Sequence, residues 1–148
     1  MSQSRGRLRV DSFLPRDVID FSYQFNKPVD PDNQVAGRAR GGKITVTVKS
    51  RLNGNNELLS WLLDNKIGKK GEIITYNNED GIEREIYFQD GFCVDYVETW
   101  KDIQLDKDGK PKENLIHTEK IIISSKTIVV KGGNQGETGL VNDWTENE

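Results

Sequence analysis

Residues 43–49 alternate strictly between polar and apolar side chains, and this pattern limits the fold more than any other feature of the chain. A period of two residues places successive side chains on opposite faces of an extended strand, so that one face is buried and the other is solvated. The same period recurs in residues 7–11 and 18–25. We therefore expect an antiparallel sheet. The apolar face of residues 18–25 is predicted to hold Ile19, Phe21, Tyr23 and Phe25.

Further strands are predicted along the rest of the chain, with one helix between them. Leu58, Trp61 and Leu62 recur at helical spacing, and Asn55 or Asn56 can cap the start of this helix. The remaining strands are marked by β-branched and aromatic residues between polar turns. These predicted strands cover residues 72–76, 82–88, 92–100 and 115–130.

The predicted fold class is all-β and mainly antiparallel, a two-sheet β-barrel or sandwich with one α-helix packed against it. Ile121, Ile122 and Ile123 put apolar side chains on both faces of one predicted strand, as expected where a strand has contacts on each side. Residues 1–133 are expected to form a single domain. Residues 134–148, rich in Gly, Asn and Glu, are expected to be a loosely ordered acidic tail.

The composition is typical of a soluble protein made in the cytoplasm. Hydrophobic residues make up 34% of the 148, enough for a core, and charged residues make up 30%. No apolar stretch follows the first seven residues, so we expect no secretory signal peptide, and no apolar run is long enough for membrane insertion. Cys93 is the only cysteine, so the fold is expected to depend on packing rather than on a disulfide.

The net charge of −3 conceals an uneven distribution. Residues 1–50 hold nine Lys/Arg against five Asp/Glu, whereas residues 51–148 hold twelve against nineteen. A basic part and an acidic part suit nucleic-acid binding or head-to-tail contact between copies of the chain. Because no long basic run is present, contact between copies is the favoured interpretation and nucleic acid is not expected as a partner.

Two segments resemble ligand-binding loops but lack essential residues. Residues 37–43 match the start of a phosphate-binding loop, yet Ile44 stands where Ser or Thr should hold magnesium, and a strand is predicted where a helix should follow. Residues 104–115 resemble part of a calcium loop, but Gln104 and Leu115 occupy the first and last ligand positions. We therefore expect neither a cofactor nor a metal.

No set of residues indicates catalysis. His117 is the only histidine, and no nucleophile-elbow motif accompanies it. Cys93 is expected to be a buried, inert thiol in a strand. Trp61, Trp100 and Trp144 are candidates for a sugar-stacking surface, although Trp61 is expected in the core and Trp144 lies in the expected loose tail. The chain is predicted not to be an enzyme.

The polar residues 26–40 join two strongly predicted strands without a pattern of their own, and loops this long are usually functional. Together with its surroundings, this segment resembles the Hcp (haemolysin-coregulated protein, TssD) family, the tube proteins of bacterial type VI secretion systems, in the branch found in Bacteroidota. The resemblance extends over roughly residues 7–133. It depends on an ordered set of motifs: SYQF at 22–25, KPVD at 27–30, RGG at 40–42, ITVTV at 44–48, ELLSW at 57–61 and CVDY at 93–96.

The resemblance implies a fold similar to that of phage tail-tube proteins, with hexameric rings that stack into an inner tube. A contracting sheath would expel the tube, with a spike at its tip and effectors in or on it. The implied partners are copies of the chain itself, sheath, spike and baseplate proteins, and effectors. The implied route is assembly in the cytoplasm, followed by secretion through the apparatus without a signal peptide.

Two sets of residues are expected to serve assembly. The loop of residues 26–40 is expected to join ring to ring and to contribute little to the subunit fold, because its prolines limit strand pairing and Gly41-Gly42 provides a hinge. Basic side chains near the N-terminus are expected at subunit contacts. The loop set is Asn26, Lys27, Pro28, Asp30, Pro31, Arg38 and Arg40, and the contact charges are Arg5, Arg7 and Arg9.

Three other functions stay open at this point. A monomeric β-sandwich could bind carbohydrate through exposed aromatic residues. A small hydrolase could use His117 in a Ser-His-Asp triad. A tail-tube protein of a phage-like particle would share the fold and differ in its neighbouring genes.

Overall fold

The fold is given by a computed structural model that describes residues 5–50, 54–64, 66–79, 81–102, 107–109, 116–132 and 136–142. Within these ranges it has seven strands and one helix. In chain order they are β1 (Gly6–Val10), β2 (Arg16–Asn26), β3 (Arg40–Lys49), α1 (Glu57–Leu63), β4 (Lys69–Tyr76), β5 (Ile82–Lys101), β6 (Ile116–Lys131) and β7 (Glu137–Val141).

The alternation in the sequence corresponds to burial in the structure. Ile44, Val46 and Val48 of β3 are fully buried, and Leu8 and Val10 of β1 face the same core. Burying each such aliphatic side chain contributes about 1.5–3 kcal/mol. Both of these strand predictions are confirmed.

The described strands belong to one antiparallel sheet in the order β3-β2-β1-β4-β5-β6-β7, and β3 also pairs with β6, so that six strands close into a ring. Two layers result because β5 and β6 contribute to both. The front layer consists of β2, β3, residues 93–101 of β5 and residues 116–123 of β6. The back layer consists of β1, β4, β7 and the remaining halves of β5 and β6. The predicted antiparallel all-β fold is confirmed.

Trp61 attaches the single described helix to the sheet. Its indole Nε1 donates a hydrogen bond to the carbonyl oxygen of Gly91 at 3.2 Å. The ring stacks on Phe88 with centroids 6.2 Å apart and meets the edge of Phe13 at 6.3 Å. Trp61 is therefore a core residue, as predicted, and the packed helix is confirmed. No helix among the described residues is long and apolar enough to cross a membrane.

β2 confirms the strand predicted over residues 18–25, but one residue of its predicted apolar face, Ile19, does not face the core. The register between β2 and β3 shifts between Val18 and Asp20. A bulge at this point adds one residue, so the side that faces the core changes along the strand. As a result Val18 packs on the core and Ile19 is 49% exposed, whereas the three aromatic residues of the predicted face do pack against the core.

Residues 82–88 and 92–100, predicted as two strands, form the single strand β5. Asp90 has a φ of 51°, and the register with β4 shifts between Lys69 and Gly71. The shift is a bulge, which bends a strand without ending it. The turn-like sequence at Asp90-Gly91 therefore marks a bend within one strand and not a turn between two strands.

β7 corrects the expectation of a loose tail, because residues 137–141 pair with residues 127–131 of β6. The side chain of Asn142 secures the end of this strand through Nδ2, which donates to the carbonyl oxygens of Ser125 at 2.9 Å and Gly41 at 3.0 Å. The fold therefore continues past the predicted domain boundary. Residues beyond Asn142 lie outside the described part of the chain.

Candidate assembly surfaces

The segment between β2 and β3 is ordered by its own hydrogen bonds, contrary to the expectation that it has no secondary structure. Val29 and Val35 pair in an isolated antiparallel bridge. The N–H of Asp30 donates to the carbonyl oxygen of Gln34 at 2.8 Å. The Oδ1 of Asp30 accepts the N–H groups of Asp32 and Gln34, both at 2.9 Å. An Asp side chain that bonds backbone two to four residues ahead builds a tight turn.

This turn closes a small hairpin of residues 28–36. The carbonyl oxygen of Pro28 accepts the N–H of Ala36 at 2.8 Å, so the proline contributes a hydrogen bond although it has no N–H of its own. A Cβ at Gly37 would lie only 2.9 Å from Cγ of Pro28. A larger residue would therefore press against the proline ring where the chain leaves the hairpin.

The hairpin carries two apolar side chains into solvent. Val29 is 59% exposed and Val35 is 65% exposed, on the two arms of the bridge. Asp30, which is half-buried, and the exposed Asp32 lie at its turn. The two exposed valines with their charged neighbours make this hairpin a candidate contact surface.

Gly41 and Gly42 are packed rather than free to act as the predicted hinge. Their φ values are +110° and +78°, which disfavour any other residue. A Cβ on Gly41 would lie 2.6 Å from the carbonyl oxygen of Gln24, and one on Gly42 would collide with Cδ1 of Ile128. Both glycines belong to β3, so the hinge prediction is wrong.

The basic residues expected at assembly contacts lie in two separate groups. One group is near the hairpin, where β3 begins opposite the end of β2. The other is on and just before β1, which pairs with the start of β2. Because β2 has 11 residues, the groups are about 33 Å apart. The first group is Lys27, Arg38 and Arg40, and the second is Arg5, Arg7 and Arg9, all six exposed.

Two edges of the front layer have no neighbouring strand among the described residues. The register of β1 with β2 includes Arg16 and Asp17, and that of β4 with β5 ends at Gly91, so no described strand pairs with this side of β2 from Ile19 on or of β5 from Cys93 on. Unpaired strand edges invite pairing with another chain. Exposed apolar side chains mark both edges: Ile19 on β2, and Val94, Val97 and Trp100 on β5.

A buried polar network, which the sequence did not reveal, ties the strands together at the end of the front layer away from the hairpin. Nη2 of Arg16 pairs with Oε1 of Glu119 and donates to the carbonyl oxygen of Lys49 at 2.8 Å. The hydroxyl of Tyr96 donates to Oε2 of Glu119 at 2.7 Å. Burial, and then this hydrogen bond, raise the pKa of the Tyr96 phenol above its ordinary value. The only signal in the sequence is a glutamate on the apolar face of β6.

The candidate catalytic side chains are not brought together. Nε2 of His117 lies 2.7 Å from Oε2 of Glu98, in an exposed pair between β5 and β6. Cys93 is buried, as predicted, and its Sγ donates to the carbonyl oxygen of Asp95 at 3.3 Å. Burial raises the pKa of this thiol to about 11. Within the described part of the chain no three His, Cys, Asp or Glu side chains are grouped to hold a metal ion.

The structure describes some residues of the remaining candidate motifs. Residues 37–43 lead into the strand β3, as predicted. Of the calcium-like segment 104–115, only residues 107–109 are described. Trp100 is 60% exposed and Trp61 is buried, so these two do not share a sugar-stacking surface, and Trp144 lies outside the described residues.

A family model described as Hemolysin coregulated protein Hcp (TssD) matches residues 4–145 of the chain. This match covers nearly the whole sequence, including β7. The resemblance stated from the motifs is confirmed. No curated protein sequence matches the chain.

Solved structures share the fold over almost its full length. Hcp1 from Flavobacterium johnsoniae is 25% identical, with a TM-score of 0.68 over 90% of this chain and 97% of that one. A type VI secretion system effector from Yersinia pestis is 13% identical, with a TM-score of 0.65 over 93% and 98%. Hcp1 from E. coli EAEC 042 is 10% identical, with a TM-score of 0.67 over 93% and 99%. At these two lower identities the likeness shows the fold alone.

Proposed function

The chain belongs to the Hcp (TssD) family of type VI secretion systems, and from this premise we propose that it is a tube subunit that forms hexameric rings and stacks them into the inner tube. The observation that carries the proposal is the family match over residues 4–145. Proteins of this family have a structural role and are not enzymes. The surfaces that carry the proposed function are therefore those that contact other copies of the chain.

The two edges of the front layer support side-to-side assembly. In a ring each subunit uses two different surfaces, one for each neighbour. The edge of β2 from Ile19 on and the edge of β5 from Cys93 on are two such surfaces on opposite sides of one layer. Joining β2 of one copy to β5 of the next would continue the sheet around the ring and cover Ile19, Val97 and Trp100.

The two ends of the subunit support stacking. One end carries the hairpin with its exposed valines and its turn residues Asp30 and Asp32. The other end has a recess whose lining includes Arg7, Arg16 and Lys49. When rings stack head to tail, the two carboxylates of the turn would meet the basic side chains of the recess on the next ring. We assign the stacking contact to the hairpin and its flanks, residues 26–31 with Arg38 and Arg40, and the opposing charges to Arg5, Arg7 and Arg9.

Hcp proteins are secreted through the type VI system, and we propose the same route for this chain. Rings assemble in the cytoplasm and leave through the apparatus without a signal peptide. Sheath, spike and baseplate proteins surround the tube, and effectors travel in or on it. The domain that builds the tube extends through β7, since that strand is part of the sheet.

Light scattering after size exclusion, followed by negative-stain microscopy of the same fractions, tests the proposal. The expected result is a particle of six chains of 16.8 kDa that appears as a ring with a central hole. A monomer at micromolar concentration would overturn the tube function and leave the monomeric binding module as the better account.

A further inference from the structure

A groove lies where the start of β3 is not paired with β6. The register of these two strands begins at Ile44, opposite Ile123, so residues 40–43 of β3 have no partner on β6. The groove has a volume of about 530 Å³. Its lining includes Asn26 and Gly41, which stand on either side of the segment that forms the hairpin. The groove therefore lies at the base of the hairpin.

Asn142 fixes the point at which the described chain leaves the fold. Its Nδ2 donates to the carbonyl oxygens of Ser125 on β6 and Gly41 on β3, and its N–H donates to the carbonyl oxygen of Lys126 at 2.6 Å. The same residue lines the groove. The segment that follows Asn142 in the sequence therefore starts in the wall of the groove.

The lining of the groove combines hydroxyl groups with one cation and one aromatic ring. The hydroxyl groups belong to Ser22, Thr45 and Ser124. Lys43 is the only charged side chain among the described lining residues, and the ring is that of the half-buried Tyr23. Arg40 is exposed at the start of the same strand, and neither cation has an ion-pair partner within the described ranges. Such a lining suits a short acidic segment that contains an aromatic residue.

Residues 143–148 have this composition, since Asp143, Trp144, Glu146 and Glu148 supply three carboxylates and one indole. Six extended residues reach about 20 Å, whereas neighbouring strands such as β2 and β3 are only about 4.8 Å apart. The segment can therefore cross the groove from its point of attachment. Because it is tethered there, its effective concentration at the groove is on the order of millimolar.

We propose that residues 143–148 bind back onto the groove of their own chain, with Trp144 against Tyr23 and the carboxylates near Lys43 and Arg40. The bound segment would secure the end of β7 and cover the base of the hairpin. This inference uses contacts within one chain, so it does not depend on the tube function.

Disulfide trapping in the full chain tests the docking. Thr145→Cys is combined with Ser22→Cys in the groove, and Cys93→Ala removes the native thiol. The matched control combines Thr145→Cys with Thr127→Cys. Thr127 lies opposite the exposed Val141, beside the exit point but on the outer face of the back layer. A segment that does not dock would reach Thr127 at least as easily as Ser22.

The Ser22 pair should form a disulfide within one chain about tenfold faster than the Thr127 pair, because a disulfide needs Cα atoms about 4.4–6.8 Å apart. Adding Lys43→Gln should slow trapping about two- to fivefold, the effect of losing one exposed ion pair. Lys120→Gln, which changes an exposed lysine outside the groove, should not slow it. Equal rates for the two cysteine pairs would overturn the inference. Disulfides between chains would also overturn it, by assigning the groove to the segment of another copy.

Fluorine NMR of the chain without added cysteines gives a second measurement. After incorporation of fluorotryptophan, the variant Trp144→Phe identifies the Trp144 resonance. In the native protein this resonance should differ from its position in denaturant, and Lys43→Gln should move it toward that position. A native Trp144 resonance at the denatured position would overturn the docking, whatever the oligomeric state, and would leave the tube function standing.

Discussion

Arg16 and Glu119 form an ion pair inside the sheet, although 103 residues separate them in the chain. Each side chain is only 4% exposed. The guanidinium also bonds the end of β3 through the carbonyl oxygen of Lys49, and the carboxylate accepts the hydroxyl of Tyr96 in β5. Four strands are therefore joined by one network, and neither buried charge is left without a partner.

Removing one member of this pair should destabilise the subunit more than removing both. Arg16→Met leaves the Glu119 carboxylate buried and unpaired, and we expect a loss of about 3–5 kcal/mol in the free energy of unfolding. The double variant Arg16→Met/Glu119→Leu should recover most of that loss. Urea unfolding measures all three. Lys131→Gln is the control, because Lys131 is 39% exposed and 3.8 Å from Glu85, and we expect a change below about 1 kcal/mol. A single variant as stable as this control would contradict the assigned role.

Cys93 should resist alkylation in the folded protein. Its thiol is buried and its pKa is raised from 9.0 to about 11, which lowers the thiolate fraction at pH 8 about a hundredfold. Iodoacetamide labelling, followed by mass spectrometry, should be at least that much slower in buffer than in denaturant. Because the folded thiol holds its proton more tightly, its contribution to stability is full below pH 9 and is lost as the pH rises through about 11. Labelling at equal rates in both states would show that the site is open.

The exposed valines of the hairpin should matter for tubes and not for the subunit. Val29→Ser with Val35→Ser should change the free energy of unfolding by less than about 1 kcal/mol, since surface substitutions are usually nearly neutral. Each valine buried between rings contributes up to about 2 kcal/mol, so tube length by electron microscopy should fall sharply while rings persist. Val141→Ser is the control, with a valine 64% exposed on β7. Normal tubes from the double variant would remove the hairpin from the stacking contact.

Stacking should weaken as ionic strength rises, whereas the rings should not dissociate. Contacts between the charged ends are screened beyond about 8 Å at 0.15 M salt. The proposed contacts within a ring depend on backbone hydrogen bonds and on apolar residues such as Trp100, which salt affects little. Sedimentation across a salt series separates tubes from rings. Tubes that lengthen with salt would show that apolar contact between the ends outweighs their charge.

The strands could be predicted from the sequence because a two-residue period is a local property that segments such as residues 43–49 show on their own. The exposure of Ile19 could not, since the bulge between Val18 and Asp20 puts Val18 and Phe21 on the same side of the strand and leaves Ile19 exposed. β7 was missed because its five residues contain only two large apolar side chains and depend on β6 for their pairing.

The region proposed for assembly could be predicted from the sequence, but its geometry could not. Residues 26–40 were singled out by length and polarity, yet their order comes from the side chain of Asp30, whose hydrogen bonds have no periodic signal. The pairing of Arg16 with Glu119 could be predicted only if the registers of β2, β3 and β6 were known together. The free edges likewise appear only once each strand has been assigned its neighbours.

Cross-linking between the two proposed edges tests the ring most directly. Cys93→Ala removes the native thiol, and Ile19→Cys with Val97→Cys then places one thiol on each edge of the front layer. After treatment with a short bis-maleimide, denaturing electrophoresis should show a ladder that ends at six chains. The variant with Ile19→Cys alone should show no ladder, because the two edges in each contact are different. A double variant that stays monomeric, or a ladder that continues past six, would contradict a closed ring joined through β2 and β5.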